Sequence, residues 1–189
     1  KTEVILKKGN ELFKENVDER KVYIKGGLHD SIFGFIGGFS AVFILLILSR
    51  ISSSPWIAAP FGASCVLAFA APAAPLSQPR NIIGGHVLTT TIGVLFRTLF
   101  GNSVIVTALC VGTAIGIMVL TKTTHPPAGA DPLVVMLNPT PLGWSYIFMP
   151  ILVGSVVIVI LAIITTIYRT EGHILNFGSE NQMLNLITV

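Results

Sequence analysis

Apolar and polar positions divide this chain into long uncharged runs separated by clusters of glycine and proline. Ser31 to Ser49 carries no charge and ends in Phe43-Ile44-Leu45-Leu46-Ile47-Leu48. It approaches the roughly 20 residues that a membrane helix needs. Gly34, Gly37, Gly38 and Ser40 give its first half a small-residue face, suited to close packing against another helix. Asn81 to Phe100, Ser103 to Thr121 and Trp144 to Tyr168 predict three further long helices. Gly101-Asn102 predicts a tight turn between two of them. Trp144, Tyr146 and Tyr168 suit interfacial anchors, and Arg97 is expected to snorkel towards the interface.

Two stretches break this rhythm. Ile51 to Pro79 is uncharged but punctuated by Pro55, Pro60, Pro72, Pro75 and Pro79. Its one uninterrupted helical piece, Pro60 to Ala71, would be about 18 Å long, against a hydrocarbon core of about 30 Å. The second stretch is Thr124-His125-Pro126-Pro127-Ala128-Gly129-Ala130-Asp131-Pro132, with Pro139, Pro141 and Gly143 beyond. Broken helices at membrane depth are tolerated only when buried in protein or lining a polar cavity. The two stretches also match each other. Pro60-Phe61-Gly62-Ala63-Ser64 aligns with Pro127-Ala128-Gly129-Ala130-Asp131, and a further proline follows twelve residues after each first one, at Pro72 and Pro139. The expected fold is therefore an all-α membrane protein with two repeats, 31–100 and 103–169. Each repeat reads as long helix, short broken helix, long helix: four full spans plus two half-helices or broken spans.

Composition agrees with a membrane location. The chain is 52% hydrophobic and 11% charged, where soluble domains carry about 25% charged residues. Residues 1–30 hold seven of the twelve basic residues and six of the nine acidic ones. They read as a cytosolic arm, either interfacial through Val4, Ile5, Leu6, Leu12, Phe13 and Val17 or simply solvated. Residues 170–189 read as a polar tail. No secretory signal is visible, and a lysine at position 1 suggests a start inside a longer chain. Between Ser31 and Tyr168 stand four basic residues (Arg50, Arg80, Arg97, Lys122) and one acid, Asp131. That balance favours anions as partners and gives no sign of nucleic acid. Cys65 and Cys110 read as packing residues. If the broken stretches complete a crossing, there are six passes, with the arm, Arg80, Lys122 and Arg169 on the cytoplasmic side. If they are re-entrant, there are four passes. The positive-inside rule prefers six, in two inverted halves. The expected location is a prokaryotic plasma membrane with a cytoplasmic N-terminus.

Paired Gly/Pro-interrupted segments in corresponding halves point to a transporter's binding site. Pro60 and Pro127 suit the first turn of a short helix. The Gly-Ala pairs after them would leave backbone amides uncovered, and a helix N-terminus attracts anions. Candidate donors are the amides of Gly62, Ala63, Ser64, Gly129 and Ala130 and the side chains of Ser64, Asn81 and Thr124. Arg80 would attract an anion from a vestibule. His86 and His125 either line the path and exchange protons near neutral pH, or are neutral rings bonded to freed carbonyls. Asp131 would repel an anion unless it caps the short helix, carries a proton, or pairs with Lys122 or a histidine. Alternatively it marks a cation or proton path. No helical histidine spacing supports a metal site, and no cofactor is expected. An enzyme is not expected either: no serine nucleophile beside a base, metal-ligand spacing or phosphate loop is visible.

His125-Pro126-Pro127-Ala128-Gly129-Ala130 resembles the motif that names the HPP family of integral membrane proteins. Pro60-Phe61-Gly62-Ala63-Ser64 and Gln78-Pro79-Arg80-Asn81-Ile82-Ile83-Gly84-Gly85-His86 resemble its other typical stretch. The resemblance covers roughly residues 30–170. It implies a four-helix membrane protein, against the six-pass preference above. Plant plastid and cyanobacterial members are associated with nitrite transport. The implied substrate is thus nitrite, a small planar anion that only accepts hydrogen bonds. The expected function is a transporter or channel for such an anion. The alternatives are proton or cation conduction through Asp131 and the histidines, or a non-transporting scaffold or sensor. A core this small also suggests a homo-oligomer.

Overall fold

A computed structural model describes residues 27–52 and 59–174. Most of the N-terminal arm and residues 175–189 of the tail lie outside the described residues. Helix α1 is Leu28–Ser52. Helix α2, Ala59–Cys65, widens into a π-helical turn over Val66–Ala70. A 3₁₀ turn at Pro75–Ser77 leads to α3, Pro79–Phe100, and α4 is Val104–Leu120. A second 3₁₀ turn, Pro126–Ala130, runs into α5, Asp131–Leu137. A π-helical turn at Ile147–Leu152, broken at Met149, precedes α6, Val153–Ile174. The described residues contain no strand.

Among the described residues, three stretches are long and apolar enough to cross a membrane: Leu28–Ile51, Pro79–Phe100 and Ile147–Arg169. The helix expected at 103–121 is a shorter one, 17 residues from Val104 to Leu120. Ser103 fixes its start, because Ser103 Oγ accepts from the Val106 amide as an N-cap. Lys122, with φ of 56°, ends it in the left-handed region.

Contacts at the helix ends fix the chain's directions. Arg169 Nη2 lies 2.9 Å from Asp30 Oδ1, so α6 finishes beside the start of α1. Gly101, at φ of 76°, turns the chain from α3 into α4. Arg80 Nη2 then donates to the Lys122 carbonyl at 2.6 Å, joining the start of α3 to the end of α4. The 125–138 segment runs alongside α3 in the same direction. Gly85 faces His125 and Ala128, and Gly93 faces Pro132 and Val135. Arg97 donates to the carbonyls of Met136 and Asn138, at 3.1 and 3.3 Å. It satisfies carbonyls that the end of α5 leaves without helical partners.

One apolar core joins Ala41 and Leu45 of α1, Phe61 and Phe69 of the α2 segment, Ile82 of α3, and Ile158 of α6. Smaller clusters link α3 to α4 and α5 through Ile92, Cys110 and Met136, and α3 to α5 and the π-helical turn before α6 through Val94, Val135 and Ile147. Lipid is as apolar as these side chains, so close van der Waals fit holds such helices together more than exclusion of water does. Glycine makes that fit: a Cβ on Gly37 would collide with the Phe69 ring, and one on Gly154 with the Phe61 ring. The outer faces are apolar too. On α1 the exposed rings of Phe35, Phe39 and Phe43 stack at centroid spacings of 6.0 and 5.6 Å, one helical turn apart.

Candidate functional site

Among the described residues, most of the buried polar side chains, Ser77 and Ser155 apart, gather on one face of α3. His86, Thr89 and Thr90 stand three and four residues apart, which places them together on a helix. All three are fully buried. Three other elements bring a partner to that face. Helix α2 supplies Ser64, the extended residue before the second 3₁₀ turn is His125, and α5 begins with Asp131.

The result is an unbroken line of short contacts. Asp131 Oδ2 lies 2.7 Å from His86 Nδ1 and accepts from Thr89 Oγ1 at 3.1 Å. His86 Nε2 lies 2.7 Å from Ser64 Oγ. Ser64 Oγ lies 2.9 Å from His125 Nε2. His125 Nδ1 lies 2.8 Å from the Leu76 carbonyl. Ser64, His86 and His125 are 0% exposed and Asp131 is 1% exposed. Isolated charges would be costly there, so the Asp131–His86 contact and its hydrogen bonds are what make a carboxylate tolerable. Asp131 Oδ1 and Thr90 Oγ1 make no hydrogen bond among the described residues.

Local sequence explains how the parts meet. Any Cβ on Gly85 would stand 2.9 Å from His125 Cβ and 3.1 Å from the Thr123 carbonyl oxygen, so only glycine lets the segment this close. Asn81 Nδ2 donates to the Thr124 carbonyl at 2.8 Å and holds the residue before His125. The Phe61 ring meets His86 edge-on, at a centroid distance of 5.0 Å.

Of the residues singled out in the sequence, Ser64, His86, His125 and Asp131 converge. Asn81, Thr124 and Arg80 make anchoring bonds instead. Arg80 spends its guanidinium on the Thr121 and Lys122 carbonyls, and Thr124 Oγ1 reaches the Met118 carbonyl. Pro60, Ala63, Pro127 and Ala130 line a groove of about 960 Å³ between the two interrupted segments, whose walls are almost wholly apolar. Gly62 and Gly129 have open space above them.

The uncovered amides expected on the second segment are not there. Pro126 and Pro127 have no N–H, the Ala128 amide bonds the His125 carbonyl, and Gly129 and Ala130 lie inside the 3₁₀ turn. Asp131 pairs with His86 rather than with Lys122. Sequence reasoning missed Thr89, Thr90 and the Leu76 carbonyl as members of the cluster. The spacing of the two threonines from His86 was the available signal. It also could not see a serine beside a base, because Ser64 and His86 stand 22 residues apart.

Residues 24–173 match the family described as HPP, transmembrane region. A transmembrane protein of Dictyostelium discoideum is 31% identical over 162 residues, covering 80% of this chain and 52% of that protein. A second transmembrane protein of Dictyostelium discoideum is 36% identical over 110 residues, covering 55% of this chain and 39% of its own length. The chain thus spans about half or less of the length of these relatives. No solved structure matches it.

Proposed function

Since the chain belongs to the HPP family of transmembrane proteins, we propose that it is a transport protein moving a small inorganic anion, nitrite first, past the meeting point of its two interrupted segments. One observation carries this reading. Inside an apolar shell, the buried polar side chains from both segments converge on His86 of α3. Intramembrane ionisable groups are functional candidates by default. The carboxylate that would repel an anion is not bare, because its Oδ2 is held by His86 and Thr89.

Six crossings in two inverted halves suit the contacts. Arg80 and Lys122 meet at one end of the bundle, while Arg97 and Asn138 meet at the other. The segment from Lys122 to Asn138 then passes from one end to the other rather than turning back. Under the positive-inside rule, the end with Arg80, Lys122 and Arg169 is cytoplasmic.

Ser64, His86 and Asp131 also stand in the order of a serine-hydrolase triad. We read them as non-catalytic. Ser64 is fully buried, and its far side is occupied by His125, so a substrate carbonyl has no approach to Oγ.

Nitrite uptake by the purified chain in liposomes tests the proposal. Gly129→Leu would set a bulky side chain in the open space next to Ala130 of the groove wall and abolish uptake. His125→Ala would weaken it. Absence of nitrite uptake by the folded wild-type protein would overturn the reading. A second reading, proton or cation movement without an anion, is favoured by the missing amides at Pro126 and Pro127. It expects proton uptake in the absence of nitrite, abolished by Asp131→Asn.

A further inference from the structure

Counting hydrogens along the cluster leads further. The Leu76 carbonyl only accepts, so His125 Nδ1 carries a hydrogen and donates to it. The His86 Nδ1–Asp131 Oδ2 contact likewise holds one hydrogen, on one atom or the other. Between the two Nε2 atoms stands a single hydroxyl, Ser64, at 2.7 Å from one and 2.9 Å from the other. Both contacts need a hydrogen at those distances. Ser64 supplies one of them, and the other must sit on a ring nitrogen.

The line is therefore complete when it holds one proton more than a carboxylate and two neutral rings, which makes its net charge zero. Without that proton, a ring nitrogen faces a serine lone pair at under 3 Å. A second added proton would turn the hydroxyl to the Pro60 carbonyl, 3.2 Å away. It would also leave a net charge in a fully buried site, which desolvation opposes.

We propose that Ser64, His86, His125 and Asp131 form a one-proton relay, in which Ser64 hands the proton between the His86 ring and the His125 ring. In the transfer, the Ser64 hydroxyl proton moves to His125 Nε2 as the His86 Nε2 proton moves to Ser64 Oγ. One O–H and one N–H bond break, and one N–H and one O–H bond form. Positive charge passes from His86, beside Asp131, to His125, beside the Leu76 carbonyl. No oxidant, reductant or further reactant is required. Asp131 and Leu76 position the rings at either end.

The other ionisable groups around the line are few among the described residues. Tyr146, just before α6, is within electrostatic reach of Asp131. Cys65 adjoins Ser64 on α2, and Cys110 of α4 belongs to the separate cluster with Ile92 and Met136. Arg97 is committed to carbonyls, and Asp30 and Arg169 pair with each other where α1 starts and α6 ends. This inference deepens the transport reading by naming the coupled ion and its number, and it stands on the geometry whichever anion is moved.

The test is nitrogen NMR of the full chain, labelled in its histidine rings, in lipid nanodiscs across a pH series. His86→Gln and His125→Gln assign the signals. The expected result is one shared titration, in which both Nε2 signals move with a common midpoint and together lose one proton. Ser64→Ala should split it into two separate midpoints, and Ser64→Thr, which keeps a hydroxyl, should restore the single one. Independent midpoints in the wild type, or an unchanged shared curve in a folded Ser64→Ala variant, would overturn the relay. If Ser64→Ala does not fold, the wild-type and Ser64→Thr curves decide. Ion flux measured on the same protein in liposomes separates the two claims. A shared titration without flux of any ion refutes transport and keeps the relay, and flux with independent midpoints does the reverse.

Discussion

The two interrupted segments carry nearly the same short sequence and solve different problems with it. Pro60-Phe61-Gly62-Ala63-Ser64 starts as α-helix and loosens into a π turn at Val66–Ala70. Pro127-Ala128-Gly129-Ala130-Asp131 starts as a tight 3₁₀ turn and relaxes into α5. Their matched second positions each lie on a glycine of a long helix: Phe61 on Gly154 of α6, Ala128 beside Gly85 of α3. Their matched fifth positions, Ser64 and Asp131, take opposite nitrogens of the same ring, His86. Corresponding positions of the two stretches thus hold a neutral hydroxyl that both donates and accepts, and a carboxylate that anchors charge.

The comparison breaks most readily at the carboxylate. Asp131→Ala removes one member of a buried pair, so a loss of about 3–5 kcal/mol of stability is expected, read as a large fall in Tm in detergent. An unchanged Tm would mean that the Asp131–His86 contact holds nothing together. The exchange of the two fifth positions sharpens the comparison. Ser64→Asp alone sets two carboxylates on one ring and should lower Tm. Adding Asp131→Ser should recover part of the loss, with a coupling of about 0.5–3 kcal/mol. Strictly additive losses would show that the two positions do not work through one histidine.

The glycine contacts come next. Gly85→Ala meets His125 Cβ and a main-chain carbonyl, and should cost about 1–3 kcal/mol. Gly154→Ala meets side-chain atoms of the Phe61 ring and no main chain, and should cost less. The reverse order in chemical or thermal melts would remove the distinction. The smallest effect is expected from Arg97→Met, which takes the donors from two carbonyls at the end of α5 and should cost about 1 kcal/mol. Wild-type Tm in that variant would leave those carbonyls bonded by something else.

Periodicity and punctuation carried much of the helical layout. The run from Asn81 to Phe100 appears as Pro79–Phe100, with Pro79 in the first turn where its missing N–H costs nothing. The uncharged run at Ser31–Ser49 extends to Leu28–Ser52. Ser103–Thr121 appears as Val104–Leu120, with Ser103 and Thr121 as its caps. His86, His125 and Asp131 stood out in sequence because ionisable residues are scarce there. Their connections did not. Ser64 and His125 meet across 61 positions, and His86 and Asp131 across 45. Spacing along a chain reports which residues share a helix face, not which distant faces converge. Arg80 and Arg97 show the same limit: their charge was visible, but the carbonyls that receive their hydrogens appear only when helix ends are placed side by side.

The unequal lengths of the outer helices bear on the surrounding lipid. Helix α1, with 25 residues, is about 38 Å long, but its uncharged run Ser31–Ser49 is about 29 Å and fits upright in a hydrocarbon layer of about 30 Å. Helix α4, with 17 residues, is about 26 Å long and falls short of that layer. The two flanks therefore suit hydrocarbon layers of different thickness, and shorter-chain lipids would match α4 more closely than α1.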